Sequence, residues 1–315
     1  LNINFNNSIV ESILVFAVST LLAIFGIYYF PFILALYPVL FIVLGIRQGV
    51  IYGITALAIS CLSLGYVTDT MSGIFALTAF APLTVSIMYG IKGRRRPIEI
   101  LSISTLIFMI CLIANIIIEG DIEGVNIISQ LRDAFKQTMD MQIAMLEEYQ
   151  LTNFELFQLK NKLENDFKFF LNTIPSIMII VSFIVAYINY LVSSLILRKL
   201  GYGVVFIPRF SRFKLPRNII VGIGIMFITT ILLGNLELFN MEAVVSNLYV
   251  LGFLVFFLQG LSVIDYKLLQ KKIGIIFRLF ILAMTIILSP LIGGILVITG
   301  ILDVIFDFRK FRKMA

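Results

Sequence analysis

The basic residues of this chain lie where loops belong. Nineteen of its 24 Lys and Arg fall in or beside gaps between long apolar runs, and the other five sit in one acidic segment near the middle. Several of the runs reach the roughly 18 residues that cross about 30 Å of hydrocarbon at about 1.5 Å per residue. With 60% hydrophobic and only 13% charged residues, the composition lies outside that of soluble domains. The sequence predicts an all-α fold, a polytopic transmembrane helical bundle of eight to ten spans with an extracytoplasmic helical hairpin inserted.

Spans are expected near 9–29, 31–46, 49–68, 70–91, 98–118, 173–197, 218–237 and 243–264. Arg47 follows the second, Lys92 and Arg94–Arg96 the fourth, Arg198 to Arg217 the sixth, and Lys267, Lys271 and Lys272 the eighth. Every basic cluster therefore follows an even-numbered span, while Asp69, Glu119, Glu237 and Glu242 mark the opposite ends. Since cytoplasmic loops retain excess Lys and Arg, the pattern predicts a multi-pass protein with both termini cytoplasmic. The first eight residues carry no Lys or Arg and predict no removable leader. The final stretch, 273–306, is too long for one ordinary span. Pro290, Gly293 and Gly294 predict its break into two short spans that return Arg309, Lys310, Arg312 and Lys313 to the cytoplasm; a single span would export them.

Three parts follow from the charge pattern: transmembrane helices over 1–118, the acidic hairpin over 119–171, and transmembrane helices with a basic loop and tail over 172–315. From Glu119 to Lys168 there are ten acids and five bases. Leu131, Phe135, Met139 and Ile143 recur at helical spacing, as do Leu156, Leu159, Leu163, Phe167 and Phe170. Between the two sets, Thr152 and Glu155 fit a capping box. The stripes must bury against each other, the spans, lipid or a partner.

The chain has no histidine, which removes HExxH zinc proteases, Ser-His dyads and histidine relays together. Cys61 and Cys111 lie inside apolar spans and read as small packing residues. No P-loop is present, so an ATP-driven process needs a separate subunit. Asp265 and Asp303 lack the GxGD setting of intramembrane aspartyl proteases, and pairing with Lys267, Arg309 or Lys310 accounts for them. No catalytic, metal or cofactor residues are therefore assigned, and the sequence predicts no enzyme.

Prolines at 38, 82 and 175 free backbone carbonyls inside spans and can border a cavity. Tyr37, Pro38, Asn115, Asn189 and Gln259 are the candidate cavity residues, although each amide can equally join two helices. Gly45, Gly49 and Gly53 allow close packing at a turn, with Gly49 in the turn itself, or a tight hairpin lining a pocket. In the loop 198–217, Arg209, Arg212, Lys214 and Arg217 alternate with aromatics. They suit anionic lipid at the cytoplasmic face or a docking partner better than nucleic acid.

Ile207-Pro208-Arg209-Phe210, Leu215-Pro216-Arg217 and Gly300-Ile301-Leu302-Asp303, followed by Phe306-Asp307-Phe308-Arg309-Lys310, resemble segments of the YybS-like family. Its members are uncharacterised bacterial integral membrane proteins, which implies the bacterial cytoplasmic membrane and no activity to carry over. Tyr37-Pro38 with Gly45, Gly49 and Gly53 is similar to the substrate-binding (S) components of energy-coupling-factor transporters. That second resemblance implies a solute-binding bundle energised by membrane and ATPase subunits. This chain departs from it in length, in the acidic hairpin, and in having Ala17 and Ala23 rather than an alanine docking repeat.

Two functions follow. One is a component that binds or carries a small, mostly uncharged solute, energised by a partner. The other is a structural or regulatory membrane protein whose hairpin binds an envelope partner.

Overall fold

The computed structural model describes residues 5–124, 127–147, 153–205, 207–234 and 240–309, whose regular structure is helical with no strand among them. Among the described residues seven helices are long and apolar enough to cross a membrane, and three shorter apolar stretches, Pro31–Arg47, Asn218–Leu232 and Ile275–Ile287, fall at the second, seventh and ninth expected passes. Phe32, Tyr66, Ile276 and Leu291 are more than four-fifths exposed, as suits side chains solvated by lipid. The chain is a multi-pass membrane protein built as a polytopic helical bundle. It forms two compact units, Leu1–Lys160 with Ile177–Ile207, and Asn161–Ser176 with Pro208–Ala315.

In the first unit, helix α1 (Phe5–Tyr28) is followed by a 3-10 segment (Pro31–Leu36), α2 (Pro38–Arg47) and α3 (Val50–Val67). The expected second span is thus two pieces rather than one kinked helix. Pro38 has no N–H for the Leu34 carbonyl, so the Tyr37 N–H takes that carbonyl at 3.1 Å and the turn tightens to 3-10. Asn189 supplies a missing donor at the same break, giving its Nδ2 to the Ala35 carbonyl at 2.7 Å.

Next come α4 (Thr70–Phe75), a π turn (Ala76–Phe80) and α5 (Ala81–Lys92). Pro82 cannot donate to the Thr78 carbonyl, and here the helix ahead of the proline loosens instead. Helix α6 (Pro97–Glu123) ends at Gly124 in the left-handed conformation.

Between lipid-solvated helices burial supplies little drive, so close packing through small residues carries the association. A Cβ on Gly53 would lie 2.9 Å from the Gly45 Cα, and one on Gly73 2.6 Å from the Gly65 Cα. Gly49, at φ 122°, forms the turn between α2 and α3. The Gly45–Gly53 pair is therefore tight packing at a turn, and the Gly65–Gly73 pair repeats the device at the next turn.

Helix α7 (Ile127–Glu147) bears part of its predicted stripe: Met139 is buried and Phe135 and Ile143 are half-buried, while Leu131 is exposed. The second hairpin helix differs from expectation. It does not stop near 171 but runs on as α8 (Asn153–Lys199), 47 residues and about 70 Å of continuous helix. Neither glycine nor a polar turn interrupts its sequence, and Pro175 alone does not break it. Asn247 repairs the backbone around that proline, accepting from the Ser176 N–H at 2.8 Å and donating to the Asn172 carbonyl at 2.6 Å. The second amphipathic segment is thus continuous with the following span in a single helix. Leu156, Leu159, Leu163 and Phe167 are half-buried as the stripe requires, and Phe170 is exposed. Thr152 of the capping box, Glu237, Lys310, Arg312 and Lys313 lie outside the described residues.

The second unit contains α9 (Asn218–Gly234), α10 (Met241–Gln270), α11 (Ile275–Ile287) and α12 (Ser289–Phe306). Along α10 and α12, Phe253 opposes Gly293, Phe256 opposes Gly300, and Gln259 bonds Asp303. These helices therefore run parallel and pack directly on each other, and α11, which connects them in the chain, runs back in the opposite direction. The last apolar stretch is the expected pair of short helices. Its break falls at Leu288, with Pro290 in the first turn of α12 and both glycines inside the helix. A Cβ on Gly300 would fall on the Phe256 carbonyl oxygen, and one on Gly260 on the Leu296 carbonyl oxygen.

Candidate functional site

The two proline breaks in the first unit face a common space. A cavity of about 430 Å³ lies between α1, the 3-10 segment, α3, α4, the π turn and α6. Its apolar wall includes Ala23, Leu34, Leu64 and Phe80, and its polar groups are Tyr37, Ser72, Asn115, Asp69 and Glu119. The tightened turn before Pro38 and the loosened turn before Pro82 re-aim the side chains around it.

The polar groups are held firmly. Tyr37 donates its hydroxyl to Ser60 Oγ at 2.7 Å, and Ser60 bonds Thr20 Oγ1 at 2.8 Å. The Tyr37 ring lies 5.5 Å from that of Phe80, which stacks on Phe108 at 5.7 Å. Asn115 gives Nδ2 to the Cys111 carbonyl at 2.7 Å and accepts from Thr78 Oγ1 at 2.6 Å. Asp69 caps α4, accepting the Ser72 N–H at 2.8 Å and the Ser72 hydroxyl at 2.5 Å. These bonds to the charged form, the hydroxyl's first, hold its carboxyl below the ordinary carboxylate range. Chemically the lining offers aromatic faces, a few fixed hydrogen-bonding groups and a carboxylate rim.

Of the five residues expected to line a cavity, the structure brings Tyr37 and Asn115 to this one. Pro38 opens α2 and shapes the break without lining the space. Asn189 is buried with its amide nitrogen on the Ala35 and Val185 carbonyls. Gln259 is equally buried, donating to Asp303 Oδ2 at 2.6 Å and accepting from the Leu215 N–H at 3.0 Å. Neither amide lines this cavity. Ser72, the π turn and the place of Glu119 in the cavity wall escaped the sequence reading, although Pro82 and the acid-cap pattern at Asp69 were visible signals for the first two.

The four basic docking candidates also divide. Lys214 pairs with Asp307, and Arg217 donates to the Ile305 carbonyl at 3.0 Å. Arg209 and Arg212 remain exposed. Beneath this loop, Arg309 is buried in a closed set of bonds. Its Nη2 meets Asp303 Oδ2 at 2.8 Å and the Phe213 carbonyl at 2.8 Å, while Nη1 meets the Ser211 carbonyl at 3.0 Å and Ser262 Oγ at 2.8 Å. The expected pairing of Asp303 with Arg309 is present. Asp265 takes Arg278, at 2.9 Å from its Nε, rather than Lys267, because the turn at 271–274 folds α11 back onto α10. Among the described residues no three His, Cys, Asp or Glu side chains gather as a metal site would require.

A family model described as "Predicted membrane protein (DUF2232)" matches residues 14–304. The "Uncharacterized protein YybS" of Bacillus subtilis (strain 168) is 24% identical over 301 residues, covering 94% of each chain. No solved structure matches the chain.

Proposed function

The chain belongs to the DUF2232 family of predicted membrane proteins, and on that premise we propose that it binds a small solute in the cavity lined by Tyr37 and Asn115, as one component of a transport system. The observation that carries this reading is the cavity's place at two broken helices, where irregular backbone in a membrane is tolerated because it borders a space. The lining favours a solute with an apolar or aromatic body that makes one or two hydrogen bonds. It disfavours anions, since the charged groups of the lining are Asp69 and Glu119. The chain carries no P-loop, so a separate partner energises the movement. On this reading the protein lies in the bacterial cytoplasmic membrane with its basic loops and both termini inside, and the cavity opens toward the outer, acidic ends of the helices. The alternation of basic and acidic gaps supports that orientation.

The test is purification from native membranes in mild detergent, followed by mass spectrometry of retained small molecules. Wild type is expected to retain a metabolite that Asn115→Leu and the cavity-filling Ile74→Trp lose. Identical retention by all three proteins overturns the reading.

A second reading rests on a different observation. Met141, Met145, Phe154 and Phe157 are each more than half exposed on α7 and the start of α8, more apolar surface than a solvated hairpin needs. A hairpin that binds another envelope protein would cover them. Cross-linking in intact cells should then capture a partner that the fourfold Gln variant at these positions loses. Unchanged capture refutes it.

A further inference from the structure

We propose that the groove between α5 and α6 at the turn 93–96 is a binding site for a single anionic phospholipid of the surrounding membrane. The proposal stands independently of the solute cavity. The groove encloses about 490 Å³ and has two chemically distinct ends. At one end Lys92 and Arg95 line it, both exposed and neither in an ion pair among the described residues. Away from that end its wall is Tyr89, Ile103 and Ile107. Glu99, in the first turn of α6, does not line it.

The geometry fits a lipid better than a soluble anion. From Pro97 to Ile107 α6 rises about 15 Å, which is one leaflet of a core about 30 Å thick. An acyl chain lying on Ile103 and Ile107 therefore brings its phosphate to the level of Lys92 and Arg95. Tyr89, 60% exposed, stands at the interfacial depth where tyrosine rings favour headgroups. The floor of the groove is fixed. A Cβ on Gly90 would lie 2.7 Å from the Ile100 side chain, and Ser86 Oγ bonds Ser104 Oγ at 2.8 Å across the two helices. The turn itself is shaped by the Gly93 N–H on the Tyr89 carbonyl and the Arg95 N–H on the Gly90 carbonyl, with Arg94 at φ 50°. A preformed groove with cations at its membrane-surface end and isoleucines along its depth is complementary to a phosphate carrying a hydrocarbon tail.

The full chain in neutral detergent, titrated with phosphatidylglycerol, phosphatidylcholine or glycerol phosphate and followed by native mass spectrometry, tests this. Phosphatidylglycerol should bind at least tenfold more tightly than phosphatidylcholine. The double variant Lys92→Gln/Arg95→Gln should weaken it about thirty-fold, from roughly a tenfold step per 1.4 kcal/mol and about 1 kcal/mol per basic group. Ile103→Trp, which fills the groove and keeps its charge, should also weaken binding, whereas Lys271→Gln/Lys272→Gln, at two exposed basic residues of another turn, should change it less than twofold. Each variant is compared with wild type for thermal unfolding in phosphatidylcholine micelles, and Lys92→Gln alone serves if the double variant does not fold. Equal losses in the two double variants would show diffuse charge attraction and overturn the proposal. So would unchanged binding in Lys92→Gln and Ile103→Trp, or glycerol phosphate binding as tightly as phosphatidylglycerol.

Discussion

Replacing Arg309 by methionine should destabilise the second unit more than any other single change near the basic loop. Arg309 and Asp303 are 3% and 0% exposed, so neither charge has water to fall back on. All five guanidinium N–H groups are used: Nε and Nη2 on Asp303, Nη1 on the Ser211 carbonyl and Ser262 Oγ, and Nη2 also on the Phe213 carbonyl. Methionine matches the stem but leaves Asp303 with only the Gln259 amide, at 2.6 Å, and strips two loop carbonyls of a donor. Removing one partner of a buried pair costs about 3–5 kcal/mol, chiefly from the uncompensated charge. Asp303→Leu should cost a similar amount by stranding the cation. The double variant removes both charges and leaves the Ser211 carbonyl and the Gln259 amide short of a partner, with the Phe213 carbonyl still on Ser262 Oγ at 3.0 Å, about 1 kcal/mol each at the low end. It should therefore lose no more than either single change, a coupling of at least about 3 kcal/mol. Reversible unfolding by dodecyl sulfate in mixed micelles, followed by circular dichroism because the chain lacks tryptophan, measures all four corners of the cycle. Single variants that lose under about 1 kcal/mol, or a double variant whose loss is the sum of the two, would refute the account.

The close approach of α10 and α12 gives a paired prediction: Gly300→Ala should cost about 1–3 kcal/mol because its Cβ meets the Phe256 carbonyl. Gly294→Ala, with nothing within 4 Å, should be neutral or stabilise by up to about 1 kcal/mol, and both are read by the same unfolding assay. Asn189→Leu should cost about 1–3 kcal/mol by leaving the Ala35 carbonyl without its side-chain donor; a loss no larger than that of an exposed Leu substitution would sink the repair role. Asp69→Ala should cost about 1 kcal/mol at neutral pH as a lost N-cap. Because the folded Asp69 carboxyl titrates below its ordinary value, its stabilisation is present above about pH 4 and fades as pH falls through the folded value. The gap between wild type and Asp69→Ala, measured from pH 7 to 3, should narrow on the acid side, and a constant gap contradicts the cap. Charge reversal of Arg94, Arg95 and Arg96 should disturb insertion orientation in a reporter-fusion assay, and unchanged orientation would count against the inside placement of that turn.

What the sequence alone determined was set by effects that act along the chain. Hydrophobic runs of membrane length, the amphipathic stripe at Phe135, Met139 and Ile143, the turn at Gly49 and the return of the C-terminal helices all depend on residues close in sequence. The Asp303–Arg309 pair was legible for the same reason, since six residues separate its members. Tyr37 and Asn115 could be named as polar groups in spans, but their meeting at one cavity depends on how α2, the π turn and α6 pack.

Only the tertiary structure decided which polar side chains serve the backbone. Asn189, Asn247 and Gln259 look alike in sequence to Asn115, yet each satisfies a backbone group freed by a proline or held in the basic loop, at separations of 44 to 154 residues. Whether a proline tightens the helix to 3-10, loosens it to π, or leaves a 47-residue rod uninterrupted likewise turned on what stood opposite. In lipid an unpaired carbonyl has no water to take it, so the partner is supplied by another helix, and neighbouring residues carry no sign of which helix that is.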